Sequence, residues 1–370
     1  MLVRPRPTLL LAACGLALLI SPTPARAGAR YTLTNLGESV IISNSANAIN
    51  NAGQIVGRFY TADGGHHAFL YSNGTMTDLS AHGIDGDATA INNAGQIVGY
   101  STGEYGDAQA YLYSNGSVTF LGKPGGGESS YAYGINDAGQ VIGSTVSPLA
   151  HHGNFGFLYS NGSMTTLGFE GYDDTSPNGI NASGQIVGTV FTYSEASFHA
   201  FLYSDGSMTT LGTLGGTDSF GSGINDAGQV VGYAENADGD LRAFLYTNGT
   251  MTDLGTLGGS VSAAYGINNA GQVVGYASPG DGIRAFLYEG GTMIDLNTLI
   301  APASGLTLRE ATAINDHGQI VGFGTDARDN VFAFLLTPTA VPEPSSIVLM
   351  GLGLAGLAGV ALRRRGRTPR

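Results

Sequence analysis

The residues with the chemistry to catalyse or to hold a metal lie in short, isolated groups: His66-His67, His151-His152, Asp85-Gly86-Asp87, Asp173-Asp174 and Asp238-Gly239-Asp240. A calcium loop needs oxygen ligands alternating over about a dozen positions, and none of these groups continues that far. None matches the ligand spacing of a zinc site. The segment GKPGGGESS (122–130) is glycine-rich. It lacks the Gly-Lys-Ser/Thr ending that sets a lysine and a hydroxyl on phosphate and magnesium, and no helical pattern follows it. Serines in the recurring GGS and GGT turns have nothing to mark one as a nucleophile. The groups read as polar loops, and the sequence points to no catalytic, cofactor or metal residue.

The elements that would position such residues are repeats. AINNAGQIVGR, from Ala48, returns in related form from Ala90, Gly134, Gly179, Gly223, Gly266 and Ala313. Its first recurring glycine falls at 53, 95, 139, 184, 228, 271 and 318, so the gaps are 42, 44, 45, 44, 43 and 47 residues. That period belongs to propeller blades or paired-helix solenoids. Crowding by Gly, Asn, Ser and Thr, without any long 3.6-residue pattern, excludes helices. Each period instead holds four strand-like runs, in the first repeat ANAIN (46–50), QIVGRFY (54–60), HAFLYS (67–72) and TMTDL (75–79). Asn51-Ala52-Gly53 turns the first run into the second. Asn73-Gly74 turns the third into the fourth, as a pair that tolerates positive φ at both turn positions. QIV and AFLY are apolar at consecutive positions, the pattern of a strand covered on both faces. The glycine after QIV predicts close backbone approach in an inner strand, and Gln54 and its copies are expected to bond loop backbone of the adjoining blade.

The third run occurs seven times, but after its last copy, FAFLL (332–336), the chain passes directly to TPTAVPEP. The missing fourth run stands at the other end, where YTLTNLG (31–37) resembles MTTLG and MTDLG. The expected fold is therefore all-β: a seven-bladed β-propeller of four-stranded antiparallel blades, its ring closed by the N-terminal strand. HAFLYSNGTMTDL, HAFLYSDGSMTTLGTLGG and RAFLYTNGTMTDLGTLGG resemble the HAF repeat of bacterial extracellular proteins, over residues 31 to 337. Some copies depart from its letters, with Gln109-Ala110-Tyr111, Phe155-Gly156-Phe157, and Arg at 242 and 284. The family carries no catalytic residues to transfer.

Both ends read as addresses. Arg4 and Arg6, the run TLLLAACGLALLI and then SPTPARA have the order of a secretory signal peptide, residues 1–27, with Ala25 and Ala27 at the cleavage site. LAAC also resembles a lipobox, although the apolar chain after Cys14 does not suit a lipid tether. Cys14 is the sole cysteine, so the mature chain forms no disulfide and depends on packing. The repeat body spans 28–340. Residues 341–370 hold Pro342-Glu343-Pro344, an apolar run from 347 to 362, and Arg363, Arg364 and Arg365 as a membrane stop. Sixteen residues rise about 24 Å as a helix, slightly short of a bilayer core, with arginines snorkelling at one end. The arginine end is expected to stay in the cytoplasm. This end resembles the PEP-CTERM sorting signal of Gram-negative bacteria. The resemblance implies an exosortase protease that removes the tail, transient anchoring in the inner membrane, and release to the cell surface or beyond.

Of 15 Lys and Arg, eight lie outside the body, and of 28 Asp and Glu only Glu343 does, so the body carries 7 − 27 = −20. Such a body repels nucleic acid and anionic lipid. The expectation is an exported, non-catalytic protein that binds glycan or matrix protein in an extracellular polysaccharide context. A hydrolase or lyase, or a purely structural surface component, is the alternative. An enzyme would place acids or His on a few unequal blades around the axis, whereas the repeats read as nearly equivalent. In an up-and-down blade the near-identical NNAG and SNG turns lie at one end and the variable connections at the other. Those connections are RFYTADGGH (58–66), STVSPLAHHGN (144–154), TVFTYSEASF (189–198) and LNTLIAPASGLTLRE (296–310). Variable loops gathered on one face mark a binding surface. The candidate residues there are Tyr60, Tyr105, Tyr172 and Tyr193, beside Asp63, Glu104, Asp107, Glu195, Glu235, Asp238, Asp281 and Asp326.

Overall fold

A computed structural model describes residues 30–37, 43–61, 65–103, 106–124, 127–146, 154–302 and 305–339. Ala25, Ala27, Asp63, Glu104, Tyr105, Pro342, Glu343, Pro344, the apolar run from 347 to 362 and Arg363 to Arg365 all lie outside the described residues. Among the described residues no helix is long and apolar enough to cross a membrane.

Each repeat folds as two short hairpins joined into one antiparallel sheet. In the first, Ser43–Ile49, Ile55–Tyr60, His66–Ser72 and Thr75–Asp78 lie side by side in chain order. Five further sheets repeat that order, covering residues 86–120, 129–167, 174–210, 215–253 and 262–295 as blades 2 to 6. Blade 7 takes three strands from 306–338, and its fourth is Tyr31–Asn35. The register of that last strand runs from Tyr31 opposite Pro338 to Asn35 opposite Phe334. Tyr31 and Leu36 are buried against the blade 6–7 and blade 7–1 cores, and Arg30 pairs with Glu289. The ring is closed by its N-terminal strand.

The tight turns take the backbone that their residue types favour. Asn73, Asn115, Asn161 and Asn248 have φ of 51°, with a left-handed glycine after each. That pair of positive φ values matches the right-handed twist of the flanking strands.

Apolar side chains from adjacent sheets meet in seven clusters between blades. Every third strand contributes one wholly buried ring: Phe69, Tyr111, Phe157, Phe201, Phe244, Phe286 or Phe334. The glycine of the second strand lies opposite it, Gly57 pairing with Phe69. A Cβ on Gly57 would stand 2.0 Å from the Ser45 carbonyl oxygen and 2.9 Å from the Phe69 ring. The close approach expected at this glycine is real, but it comes from the blade's own first strand and aromatic ring. The innermost strand is the first one, and the QIV strand lies next to it.

Candidate binding face

The two ends of the propeller are built differently. At the end holding the NNAG turns, Asn50 closes its own turn: its Oδ1 accepts from the amides of Ala52 and Gln54, and its Nδ2 donates to Gln54 Oε1. The same Nδ2 reaches the next blade and donates to the Asn92 carbonyl. Asn92, Asn136, Asn181, Asn225, Asn268 and Asn315 repeat the bond, the last returning to Asn50, all at 2.9–3.1 Å. Seven buried amides thus form a closed ring about the axis. The blade-to-blade contact expected of Gln54 belongs to Asn50, and the glutamine orients that asparagine instead.

A second ring lies outside it. Backbone amides of Asn51, Asn93, Ala182, Asp226, Asn269 and Asp316 each donate to the Asn or Asp side chain of the following blade. It is interrupted at one joint, where Ala182 has no acceptor to offer. A cavity of about 250 Å³ at the axis is lined by these seven turns. Its polar groups are largely committed to holding blades together.

Toward the other end the blades diverge. Each innermost strand carries a β-bulge, which re-aims one side chain. The re-aimed residues are Asn47, Thr89, Tyr133, Asn178, Ser222, Tyr265 and Thr312. Of these, Asn47, Thr89, Asn178 and Thr312 donate to a carbonyl on the next blade, at 2.7–2.8 Å. One step further from the constant end, the cross-strand pairs differ in every blade: Ser45 with Arg58, Asp87 with Tyr100, Tyr131 with Ser144, Ser176 with Thr189, Phe220 with Tyr233, Ala263 with Tyr276, and Glu310 with Phe323. The near-equivalence read from the repeats holds for the turns and the core, and fails in this row.

Two polar groups stand out in the row. Asp87, nearly buried, accepts on Oδ2 from Arg58 and from the Tyr100 hydroxyl, each at 3.0 Å. Its Oδ1 makes no hydrogen bond among the described residues and lies 3.9 Å from His66 Nε2. Burial, then the Asp87 charge, pushes the Tyr100 hydroxyl up from its ordinary range. Two blades round the ring, on blade 7, burial raises the Glu310 carboxyl to about 7. Burial and that carboxylate together raise Tyr265 and Tyr276, whose rings meet at 5.9 Å.

The third feature is a row of rings across blades 4 and 5. Tyr193 meets Phe191 at 5.1 Å, Phe191 meets Phe198 at 4.6 Å, Phe198 meets Phe220 at 5.2 Å, and Phe220 stacks on Tyr233 at 4.7 Å. Tyr193 is 59% exposed and Phe198 38%. A cavity of about 270 Å³ runs beneath them. Phe191 and Phe198 sit in strands Ile186–Thr192 and Ser197–Ser204, joined by a four-residue turn. Most of the stretch expected to be loop there is strand, because its β-branched and aromatic residues extend the hairpin.

Of the tyrosines expected on this face, Tyr193 heads the row and Tyr60 is exposed at 37%, with the Arg58 guanidinium 5.7 Å from its ring centroid. Tyr172 packs against the blade 3–4 core. The expected acids mostly make local contacts: Asp107 with Lys123, Glu195 with His199, Glu235 with Thr217, Asp281 with Arg284 and Asp326 with Asn330. Asp238 lies exposed in a turn. No group of three metal-ligating side chains occurs among the described residues. Sequence reading passed over the roles of Arg58, Tyr100, Phe198, Phe220, Tyr233 and Glu310, and it took Asp87 for a polar loop residue, whereas Asp87 is buried in the strand Gly86–Ile91. For Arg58, Tyr100 and Tyr233 the signal was a residue after the recurring glycine that changes from repeat to repeat; Asp87, Phe220 and Glu310 stand opposite that position on the first strand.

A family model for the PEP-CTERM protein-sorting motif matches residues 340–365, taking in Pro342, Glu343, Pro344 and the arginines at 363 to 365. The motif marks an exported protein that is held at a membrane during sorting, and such motifs are processed by an exosortase. No curated protein matches the chain by sequence. Among solved structures, the chain is similar to the β-propeller domain of the trilobed protease from Pyrococcus furiosus, described as having an open velcro topology. That pair shares 9% identity over 82% of this chain and 100% of that one, with a TM-score of 0.54. A puromycin-hydrolyzing peptidase of Mycobacterium tuberculosis matches at 13% identity over 86% and 56%, TM-score 0.54. An acylaminoacyl peptidase of Pyrococcus horikoshii matches at 12% over 85% and 54%, TM-score 0.53. The chain spans about half the length of the two peptidases. At these identities the likeness is one of fold, and the HAF-repeat resemblance continues to rest on the repeated segments alone.

Proposed function

We propose that the chain is an exported, non-catalytic binding protein whose variable end holds a glycan or protein partner at the cell surface or in the extracellular matrix. The tail is taken to span the inner membrane transiently until an exosortase removes it. One observation carries the binding reading. Exposed rings continue into a cavity at the end where blades diverge, while the other end spends its polar groups on blade-to-blade bonds. Exposed aromatic rows are costly in water and serve as contact surface. The test is retention of the purified exported protein on matrix and cell-surface fractions. Absence of retention on every fraction would leave a purely structural role.

A hydrolase or lyase acting on extracellular polymer is the second reading. Asp87 and Glu310 support it, since carboxyls placed on unequal blades near the axis are what such an enzyme needs. A screen of glycosidic and ester polymers decides. Turnover abolished by Asp87→Asn or Glu310→Gln would replace the binding reading with the catalytic one.

A further inference from the structure

We propose that the cavity between blades 4 and 5 is a binding subsite for a neutral sugar unit of a polysaccharide; this rests on the binding reading above. Its apolar wall is Phe191, Phe198, Phe220 and Tyr233, from neighbouring strands of both blades. Its polar groups are Asn154, Asp174, Ser176, Asn178, Thr189 and Ser222. Among the described residues the hydroxyls of Ser176, Thr189 and Ser222 and the side-chain amide of Asn154 make no hydrogen bond, and Asn178 uses only its Nδ2, on the Gly221 carbonyl. Donors and acceptors therefore stand free opposite a wall of rings.

A pyranose has that same division. Its axial C–H groups form an apolar face that suits an aromatic ring, and its equatorial hydroxyls need partners once water is displaced. The volume, about 270 Å³, falls just below the range of pockets that enclose drug-sized ligands, which suits one ring with its neighbours outside. The rings do not stop at the cavity. Phe198 and Tyr193 carry the row out to solvent, so flanking units of a chain would meet further rings.

Charge selects the class of sugar. Among the described residues no Lys, Arg or His lines the cavity, and its one carboxylate is Asp174, whose Oδ1 accepts from the Asn154 backbone amide. The body around it carries −20. A uronate, sulfated or phosphorylated unit would bring a negative charge beside that carboxylate with no counter-charge among the described residues, which disfavours it.

Calorimetric titration of the exported protein with cellohexaose, maltohexaose, mannohexaose and an oligouronate of equal length tests this, with matrix retention measured in parallel. At least one neutral hexaose is expected to bind and the oligouronate not to bind. Phe198→Ala and Asn154→Ala should each weaken the hexaose tenfold or more with unchanged melting curves, since both side chains are solvent-accessible. Asn115→Gly, in a turn at the constant end where glycine accepts the positive φ, should leave it unchanged. Preference for the oligouronate, or hexaose binding indifferent to both cavity variants, overturns the proposal. Matrix retention without binding of any neutral hexaose overturns the sugar subsite and leaves the binding reading standing. Loss of matrix retention in the unaltered protein removes that reading itself.

Discussion

Glu310 stands where other innermost strands carry Ser45, Asp87, Tyr131, Ser176, Phe220 and Ala263, and burial raises its carboxyl from an ordinary 4.5 to about 7. The sign of the consequence is fixed by linkage. The folded chain binds this proton more tightly than the unfolded one. The protein is therefore most stable, as far as this group goes, below pH 4.5, and loses stability as pH rises from about 4.5 to 7. Glu310→Gln should remove that decline, seen as a flatter melting temperature across the window; an identical pH dependence in both proteins would contradict the burial argument. Asn136 makes the opposite kind of contribution. Its side chain takes the Gln140 amide and gives one bond to Gln140 and one to the Asn181 carbonyl of the next blade. Asn136→Ala leaves buried groups unpaired and should cost about 2–3 kcal/mol in chemical denaturation. The Asn-Gly turns were legible in the sequence because the constraint is local, positive φ at adjacent residues. The asparagine ring was not, because each bond joins residues more than 40 positions apart.

At the scale of elements, strand count settled the architecture. Six complete blades and one lacking its fourth strand leave a run of five residues, Tyr31–Asn35, to fill the gap. Deleting residues 30–37 strips that edge and exposes the cores that Tyr31 and Leu36 cover. Burial of two large apolar side chains contributes about 3–6 kcal/mol, so the truncated protein should melt on the order of 10 °C lower and associate through its open edge. An unchanged melt with monomeric elution would show that closure contributes nothing. Strand boundaries near the variable end were less legible. TVFTYSEASF carries turn-forming residues inside a β-branched and aromatic run, and only the pairing of Thr192 with Ser197 shows the hairpin continuing through it. The bulge in each innermost strand was also hidden, since it shifts register without changing composition.

For the whole molecule, sequence and structure divide the work. The tail address is compositional and was readable directly, since the PEP-CTERM motif matches 340–365; the signal peptide read at 1–27 lies outside the described residues. Replacing Pro342, Glu343 and Pro344 with alanine should leave the protein uncleaved and membrane-held; normal release at normal size would contradict processing through this motif. Which end of the propeller diverges was legible from where the repeats vary, but the side chains gathered there were not. The row of rings draws Phe191 and Phe198 from one blade and Phe220 and Tyr233 from the next, and only the packing of the two blades joins them.

The central claim is that the variable end is the binding end, and one paired measurement bears on it most directly. Tyr193→Ala with Phe198→Ala removes the exposed rings at that end. Asn73→Gly with Asn161→Gly removes side chains at the constant end while keeping turns that glycine accepts at positive φ. Retention on matrix and cell-surface fractions is compared for both proteins once each shows the melting curve of a folded propeller. Loss of retention tenfold or more in the ring variant, with the turn variant unchanged, is the predicted result; loss confined to the turn variant would contradict the claim.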